Sequence, residues 1–384
     1  MAIDIHRIHA SMQELLPVER FGLRELEEIR LVLRGGSVID WRRLNFRDRD
    51  EVDAFLRLAQ LHSDRPADAA RMREILDEAV AYLRSQFRYK VADAVADPKE
   101  VHDLFLMASD VGEHRRHRRI ACIALKVMHT IFHTDARELL FRTPISELDF
   151  AALVDMRVRQ CSEELLAMGA PVLEFVGSVK SRESMITKLL AKRESVAAQI
   201  FDKVRYRIVT ERYEDILPVL HYLTTHLFPF AFTVPAQTQN TLFPFRQLVE
   251  STPHLSTFLP KLQIDPHLEE WDQEERRKGR GMVNEFSGAT YRVLNFVADV
   301  PVRLDEYLTV LEAQRPTTGP QIAFAPVEFQ LMDQETARQN ELGENSHERY
   351  KRRQRVKVLR RLSRGLVVPK RALEAANEIP EEKA

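Results

Sequence analysis

The chain has 384 residues, a formal net charge of −1, 44% hydrophobic and 30% charged residues. That composition fits a soluble globular protein, and the length sets a prior of roughly two or three domains. The net charge singles out no partner. Two cysteines, Cys122 and Cys161, argue against a disulfide scaffold and for a reducing compartment. No stretch approaches the roughly 20 apolar residues of a membrane span. MAIDIHRIHASMQ lacks the apolar core of a secretory signal, so the expected location is cytoplasmic and the expected partners include no membrane.

Residues 1–170 read as an all-helical N-terminal domain, regulatory or structural. RELEEIRLVLRG ends at Gly35 and Gly36, a usual helix stop. Asp50 to Leu61, ARMREILDEAVAYLRSQF, RIACIALKVMHTIFH and FAALVDMRVRQCSEELLAMG each repeat apolar residues at three- and four-residue steps. The last of them stops at Gly169. Composition changes near Pro171. The order then predicts a helix over 180–193, a strand over 203–210 and a helix over 213–227. An irregular insert rich in Pro, Thr and Gln follows over 228–285. An alternating run, ATYRVLNFVADVPV, precedes a helix at 303–314, the strand APVEFQLM and a helix from about 334. Strands alternating with helices predict an α+β class, a mixed β-sheet flanked by helices, over 171–351. Residues 352–384 read as a basic helix with a frayed tail.

The strand Ala325–Met332 carries its acid away from its apolar face. Val327, Phe329 and Leu331 alternate to one side, Glu328 and Gln330 to the other. Lys180, Ser184 and Lys188 recur every four residues, on one helix face, where two ammonium groups and a hydroxyl suit successive phosphates. A helix starting just after Gly177-Ser178 would add N–H donors and the positive dipole end. The same spacing also describes a solvated basic face. Asp202 stands at the mouth of the strand that carries Arg207. Magnesium takes hard oxygen ligands, usually one or two protein carboxylates, with phosphates completing the shell. Asp202 and Glu328 form such a pair, although a helix cap and an exposed edge-strand acid are the plainer readings of each alone. Arg276, Arg277, Lys278 and Arg280, spaced with glycines, suit a phosphate clamp or a surface loop. Tyr291 follows at the expected strand start, placed to stack on a base.

Together these pieces resemble the synthetase domain of RelA/SpoT-type (p)ppGpp synthetases, over about 171–351. Lys180, Ser184 and Lys188 match that family's ATP-binding helix, and Asp202 with Arg207 its acidic strand start. Glu328-Phe329-Gln330-Leu331-Met332-Asp333 is similar to its Glu-Val-Gln-Ile-Arg-Thr strand. Asn340-Glu341-Leu342-Gly343 with His347, Tyr350 and Lys351 looks like its final helix motif. Thr290-Tyr291-Arg292-Val293-Leu294-Asn295 matches its guanine-binding Gly-Tyr-x-Ser-Leu-His in part. Ser178, Thr290, Asn295 and Met332 depart from the pattern.

The resemblance implies a nucleotidyltransferase-like fold and Mg2+-dependent pyrophosphate transfer from ATP to a ribose 3′-hydroxyl, in (p)ppGpp metabolism and stress signalling. Lys180, Ser184, Lys188 and Arg207 would bind ATP. Asp202 and Glu328 would serve metal and catalysis. Tyr291, Arg276, Lys278, Arg280, Gln330, Asn295 and His347 would bind the acceptor. The departures leave the acceptor open: GDP or GTP, another nucleotide, or a tRNA 3′ end, as in toxin-like relatives. A non-catalytic nucleotide- or RNA-binding regulator is the further alternative, and an oligomer is compatible with all of these.

Other signals read as structural. His129 and His133 lie four apart, a spacing that binds zinc only with further ligands, and His102-Asp103 lacks the rest of a hydrolase pattern. The cluster Arg115–Arg119 reads as a solvated turn. The stretch 351–371 holds ten Lys or Arg and no acid. It suits tRNA or other RNA through phosphate contacts. It also suits a solvated helix packing Val356, Leu359, Leu362 and Leu366 on the domain.

Overall fold

A computed structural model describes residues 15–35, 44–110, 115–179, 182–191, 204–260, 262, 291–305, 321–342, 347–363 and 370–371. Lys180, Asp202, Arg276, Arg277, Lys278, Arg280 and residues 306–314 of the helix expected at 303–314 lie outside them, while Arg303, its expected start, ends a strand. The fold is α+β with one mixed five-stranded sheet. The chain divides into two compact units.

The first unit comprises 1–170, 217–236 and 298–325. Its helices are α1 (Leu23–Arg34), α2 (Arg49–Leu58), α3 (Pro66–Phe87), α4 (Asp93–Ala96), α5 (Val101–Ala108), α6 (Arg118–Arg142) and α7 (Glu147–Ala167). Each boundary has a chemical cause. The Glu25 carboxylate accepts the Gly22 N–H at 2.8 Å to start α1. Gly35, at φ 61°, ends it in the left-handed conformation that glycine adopts without a Cβ penalty. Pro66 opens α3, where its missing N–H leaves no helical bond unmade. Gly169, at φ 75°, follows α7. Leu76, Ala79, Leu104, Ala121 and Ala124 fill the core between α3, α5 and α6. Phe46, Phe55 and Phe105 meet there edge-on or tilted at 5.4–5.9 Å. Such pairing adds to area burial by aligning ring edges with ring faces. The unit is not 1–170 alone. It also takes in most of α9 (Ile216–His226), the aromatic turn Phe230–Phe232 and parts of two strands. Arg303 in one of these strands pairs with Asp68, buried on α3, and accompanies it with a bond to the Gln60 carbonyl at 2.8 Å.

The second unit comprises 171–216, 237–297 and 326–384. It contains β1 (Val172–Val179), α8 (Arg182–Ala191), β2 (Val204–Thr210), β3 (Gln239–Asn240), α10 (Phe245–Ser251) and α11 (Pro253–Ser256). The strands β4 (Leu294–Arg303) and β5 (Ile322–Asp333) each belong in part to both units. After β5 come α12 (Gln334–Glu341) and α13 (His347–Leu362). The sheet order is β1-β2-β5-β4-β3. β1 pairs with β2 antiparallel, β2 with β5 parallel, and β3 with β4 antiparallel. Pro326 interrupts β5 without removing a rung of the β2 ladder, because that ladder starts at Val327.

Several expectations need correction. Gly177 and Ser178 do not start a helix: both lie in β1, and α8 begins at Arg182. Gly177 faces Tyr206 across the β1–β2 ladder, and a Cβ there would fall 2.6 Å from the Tyr206 ring. The glycine is required by the ring packed over it. The insert is not irregular throughout, since β3, α10 and α11 lie within it. Tyr291 precedes β4, which starts at Leu294. On α13 it is Val358 that is buried, together with Ala191 of α8, while Leu362 is exposed.

Candidate functional site on the polar face of the sheet

β5 is the central strand, and its alternation sorts side chains by face. Val327, Phe329 and Leu331 are fully buried on one side, with Tyr206 and Phe296 stacked against Phe329 at 6.0 and 5.5 Å. Glu328 and Gln330 lie on the other side. The reading of Glu328 as an exposed edge-strand acid is therefore wrong: the strand is central and Glu328 is 8% exposed.

Register assembles the neighbours of Glu328. In the parallel ladder Arg205 pairs with Glu328 and Arg207 with Gln330. In the antiparallel ladder Ser178 pairs with Arg205. Asn295 reaches Glu328 from β4, and Gln239 of β3 pairs with Asn295. Paired residues share a face, so a polar row crosses all five strands through Ser178, Arg205, Glu328, Asn295 and Gln239.

Glu328 is the strongest feature of the row. Its Oε1 accepts from Asn295 Nδ2 at 2.8 Å and from Gln330 Nε2 at 3.2 Å. Its Oε2 is buried and has no hydrogen-bond partner among the described residues, and neither has Asn295 Oδ1. Folded proteins seldom leave buried polar atoms unpaired, and although other described residues hold such atoms, Thr143 Oγ1 and Thr238 Oγ1 among them, here two oxygens on adjoining side chains share the condition. Both are hard oxygen donors, the type that Mg2+ takes. Asn295 and Gln330, expected on the acceptor, are thus joined to the expected catalytic acid.

The two arginines differ. Arg207 is held between carboxylates, with Nε 3.4 Å from Glu174 and Nη2 3.1 Å from Glu341. Arg205 is half-buried and makes no ion pair among the described residues. Arg205 is not among the residues that the resemblance names, although VRYRIV alternates and puts both arginines on one face.

Toward the ends of β2 and β5 the face is closed by α12. Asp333 caps that helix by accepting from the Glu335 and Thr336 N–H groups at 3.1 and 3.2 Å. Asn340 brackets the backbone of Arg292, accepting its N–H at 3.0 Å and donating to its carbonyl at 2.6 Å. This holds the 291–293 segment in place beside Tyr213. The Tyr213 hydroxyl donates to the Leu242 carbonyl at 3.0 Å, its ring stacks on Phe243 at 4.7 Å, and burial raises its pKa. Met332, which stands where the resemblance expects Arg, is buried with the Asn340 amide 3.8 Å from its sulfur.

Among the other expected residues, Ser184 is exposed in the first turn of α8, with Lys188 one turn further along the same helix. His347 opens α13. Away from this face, His129 and His133 form part of an aromatic core. Their rings lie 4.3 Å apart and 5.3 and 4.8 Å from Phe232. Burial, then the neighbouring His133, holds His129 well below its ordinary pKa. His102 bonds Asp53 at 2.9 Å. Cys122 and Cys161 are free. No helix among the described residues is long and apolar enough to cross a membrane. No family model and no curated protein matches the chain.

Proposed function

We propose that this protein is a diverged RelA/SpoT-like pyrophosphokinase. It moves pyrophosphate from ATP to a ribose 3′-hydroxyl, using a nucleotidyltransferase-like arrangement within 171–351. The observation that carries the reading is Glu328, a buried acid on the central strand with one oxygen left unpaired beside the equally unpaired Asn295 Oδ1.

The residues present fit a divalent cation. Glu328 Oε2 and Asn295 Oδ1 are hard donors without a partner among the described residues, and one or two carboxylates suffice for Mg2+ in a phosphate site. Glu328 would hold the ion together with Asp202. When bound, the ion supplies neutralisation of the charge on the polyphosphate. Glu328 also takes the proton of the attacking hydroxyl. The 3′-oxygen forms a bond to the β-phosphorus, the bond from that phosphorus to the α-phosphate oxygen breaks, and AMP leaves. Lys180, Ser184 and Lys188 hold the ATP phosphates, and Arg205 and Arg207 present positive charge beside Glu328 and Gln330. Asn340 positions the backbone next to Tyr291, so that its ring can stack on the acceptor base. The chemistry is chiefly positioning plus charge stabilisation.

A tRNA 3′ end remains the second acceptor because the acid-free stretch 351–371 suits a phosphate backbone. The test is incubation of the purified protein with Mg2+ and ATP labelled in its γ-phosphate, offering GDP, GTP, ATP and bulk tRNA in parallel. Label appearing in an acceptor, and lost in Glu328→Gln, establishes transfer and names the acceptor. Label confined to ATP with every acceptor overturns the proposal.

A further inference from the structure

Three large aromatic side chains are exposed together on the first unit, far from what its packing needs. Tyr82, Phe87 and Tyr89 are 46%, 60% and 42% exposed. Single exposed apolar side chains are ordinary, whereas a contiguous patch marks an interaction surface. The local fold gathers the rings. Arg88 ends α3 at φ 54°, a left-handed conformation costly for a residue with a Cβ. The Tyr89 N–H then donates back to the Leu83 carbonyl at 3.1 Å. This return brings Phe87 to 5.6 Å from Tyr82 and 6.5 Å from Tyr89. The ring planes meet at 67° and 55°, so Tyr82 and Phe87 lie edge to face, Phe87 and Tyr89 are tilted, and neither pair is stacked.

Basic residues stand among the rings, and the nearest acids in sequence are Glu78, one turn before Tyr82, and Asp93. Arg84, Arg88 and Lys90 are exposed within the same turn and exit loop. Residues 79–92, AVAYLRSQFRYKVA, contain no Asp or Glu. Arg84 donates to the Val91 carbonyl at 3.2 Å, and Arg88 and Lys90 make no ion pair among the described residues. Exposed π-faces interleaved with unpaired cations match a ligand with flat bases and a regularly charged backbone. A duplex keeps its bases stacked inside and offers no such faces. A lipid interface also takes aromatic rings with Lys or Arg but calls for an apolar face continuous with them, whereas here Leu83 is buried and the neighbours Ser85 and Gln86 are polar.

We propose that Tyr82–Lys90 is a binding platform for single-stranded nucleic acid, in which bases stack on the three rings and phosphates meet Arg84, Arg88 and Lys90. The inference does not depend on the catalytic reading or on the basic stretch 351–371.

The test is fluorescence anisotropy of the full chain with labelled single strands of about 12 nucleotides, ribo-A and deoxy-A, and with a duplex control. The comparison includes Phe87→Ala, Tyr89→Ala and Arg88→Gln, and a chain with Arg352, Arg353 and Lys357 changed to Gln. Binding of either single strand, weakened about 5- to 150-fold by Phe87→Ala and by Tyr89→Ala, is expected. Preference for the ribo or deoxy strand tells which source the platform takes. Arg88→Gln should lower the slope of log affinity against log salt by about 0.7. These positions are exposed, so unchanged far-ultraviolet circular dichroism and unfolding midpoint are expected in each variant. The proposal is overturned if no single strand binds, if the duplex binds as well, or if only the α13 substitutions reduce binding. Phe87-dependent binding to phosphatidylserine vesicles without oligonucleotide binding would also overturn it, in favour of a lipid surface.

Discussion

Glu328→Gln and Glu328→Leu separate a functional acid from a structural one. In the wild-type chain Oε1 accepts two side-chain bonds, at 2.8 and 3.2 Å, while Oε2 is buried with none. A glutamine keeps Oε1 as the acceptor for Asn295 and Gln330 and removes a charge that the fold only half satisfies. A buried polar group without a partner costs about 1–3 kcal/mol. Removing the charge therefore leaves stability unchanged or raises it by about 1 kcal/mol, since the new amide nitrogen is itself unpaired. Leucine instead strips the acceptor from the buried Asn295 amide and costs about 1–3 kcal/mol. The transfer rate should fall about 100-fold or more in both. The assays are urea unfolding, read as a shift in midpoint at constant slope, and label transfer from ATP. A glutamine variant that loses more than about 1 kcal/mol would show that the carboxylate is held for the fold's own sake, and undiminished transfer would remove Glu328 from the chemistry.

Gly177→Ala places a Cβ 2.6 Å from the ring of Tyr206, which is buried and cannot swing away. Overpacking of this kind should lower stability by about 1–3 kcal/mol in urea unfolding, and Gly177→Ala combined with Tyr206→Leu should recover part of it. His221, packed against Phe21 at 5.4 Å, is pushed down to about 4 by burial, with smaller effects from Glu25, Arg24 and His226. Because the unfolded chain binds the proton nearer pH 6.5, stability is full above that value and is lost as pH falls toward 4. The loss should approach about 3 kcal/mol, and His221→Leu should flatten the acid limb of the unfolding midpoint against pH. Arg205→Met should raise the KM for ATP more than Arg207→Met in steady-state transfer, because Arg207 is already held by Glu174 and Glu341.

The helices of the first unit are legible because their apolar residues recur at helical spacing and their ends carry glycine or proline. β5 is legible for the same kind of reason, since Val327, Phe329 and Leu331 alternate with polar residues. β1 is not. LEFVGSV lacks clean alternation, and its Gly-Ser pair reads as the entry to a phosphate-binding helix. What makes it a strand is Tyr206, whose ring lies over Gly177 across the ladder. A requirement set by a residue so far along the chain has no local signature. The same holds for 217–236 and 298–325, which join the first unit. Their apolar runs announce burial but not the partner they are buried against.

The site is legible to the extent that one strand can be read alone. Alternation puts Glu328 on the face away from Phe329, but that the acid is buried there follows from the central place of β5, which one strand alone does not reveal. The acid's environment comes from register, and a shift of one residue in the β2–β5 ladder would bring Tyr206 or Val204 beside Glu328 in place of Arg205. Sequence reasoning therefore favoured Arg207, whose position the family resemblance supplied, over Arg205. The ladders reverse that order of interest. An arginine already between two carboxylates must leave them to meet a phosphate, whereas Arg205 stands beside the acid with no ion pair among the described residues. Glu328 and Arg205 are adjacent in the ladder yet make no direct ion pair with each other, so each keeps hydrogen-bonding capacity for a third group. Opposite charges held side by side without a direct ion pair suit a ligand that brings both signs, as a polyphosphate carrying a divalent cation does.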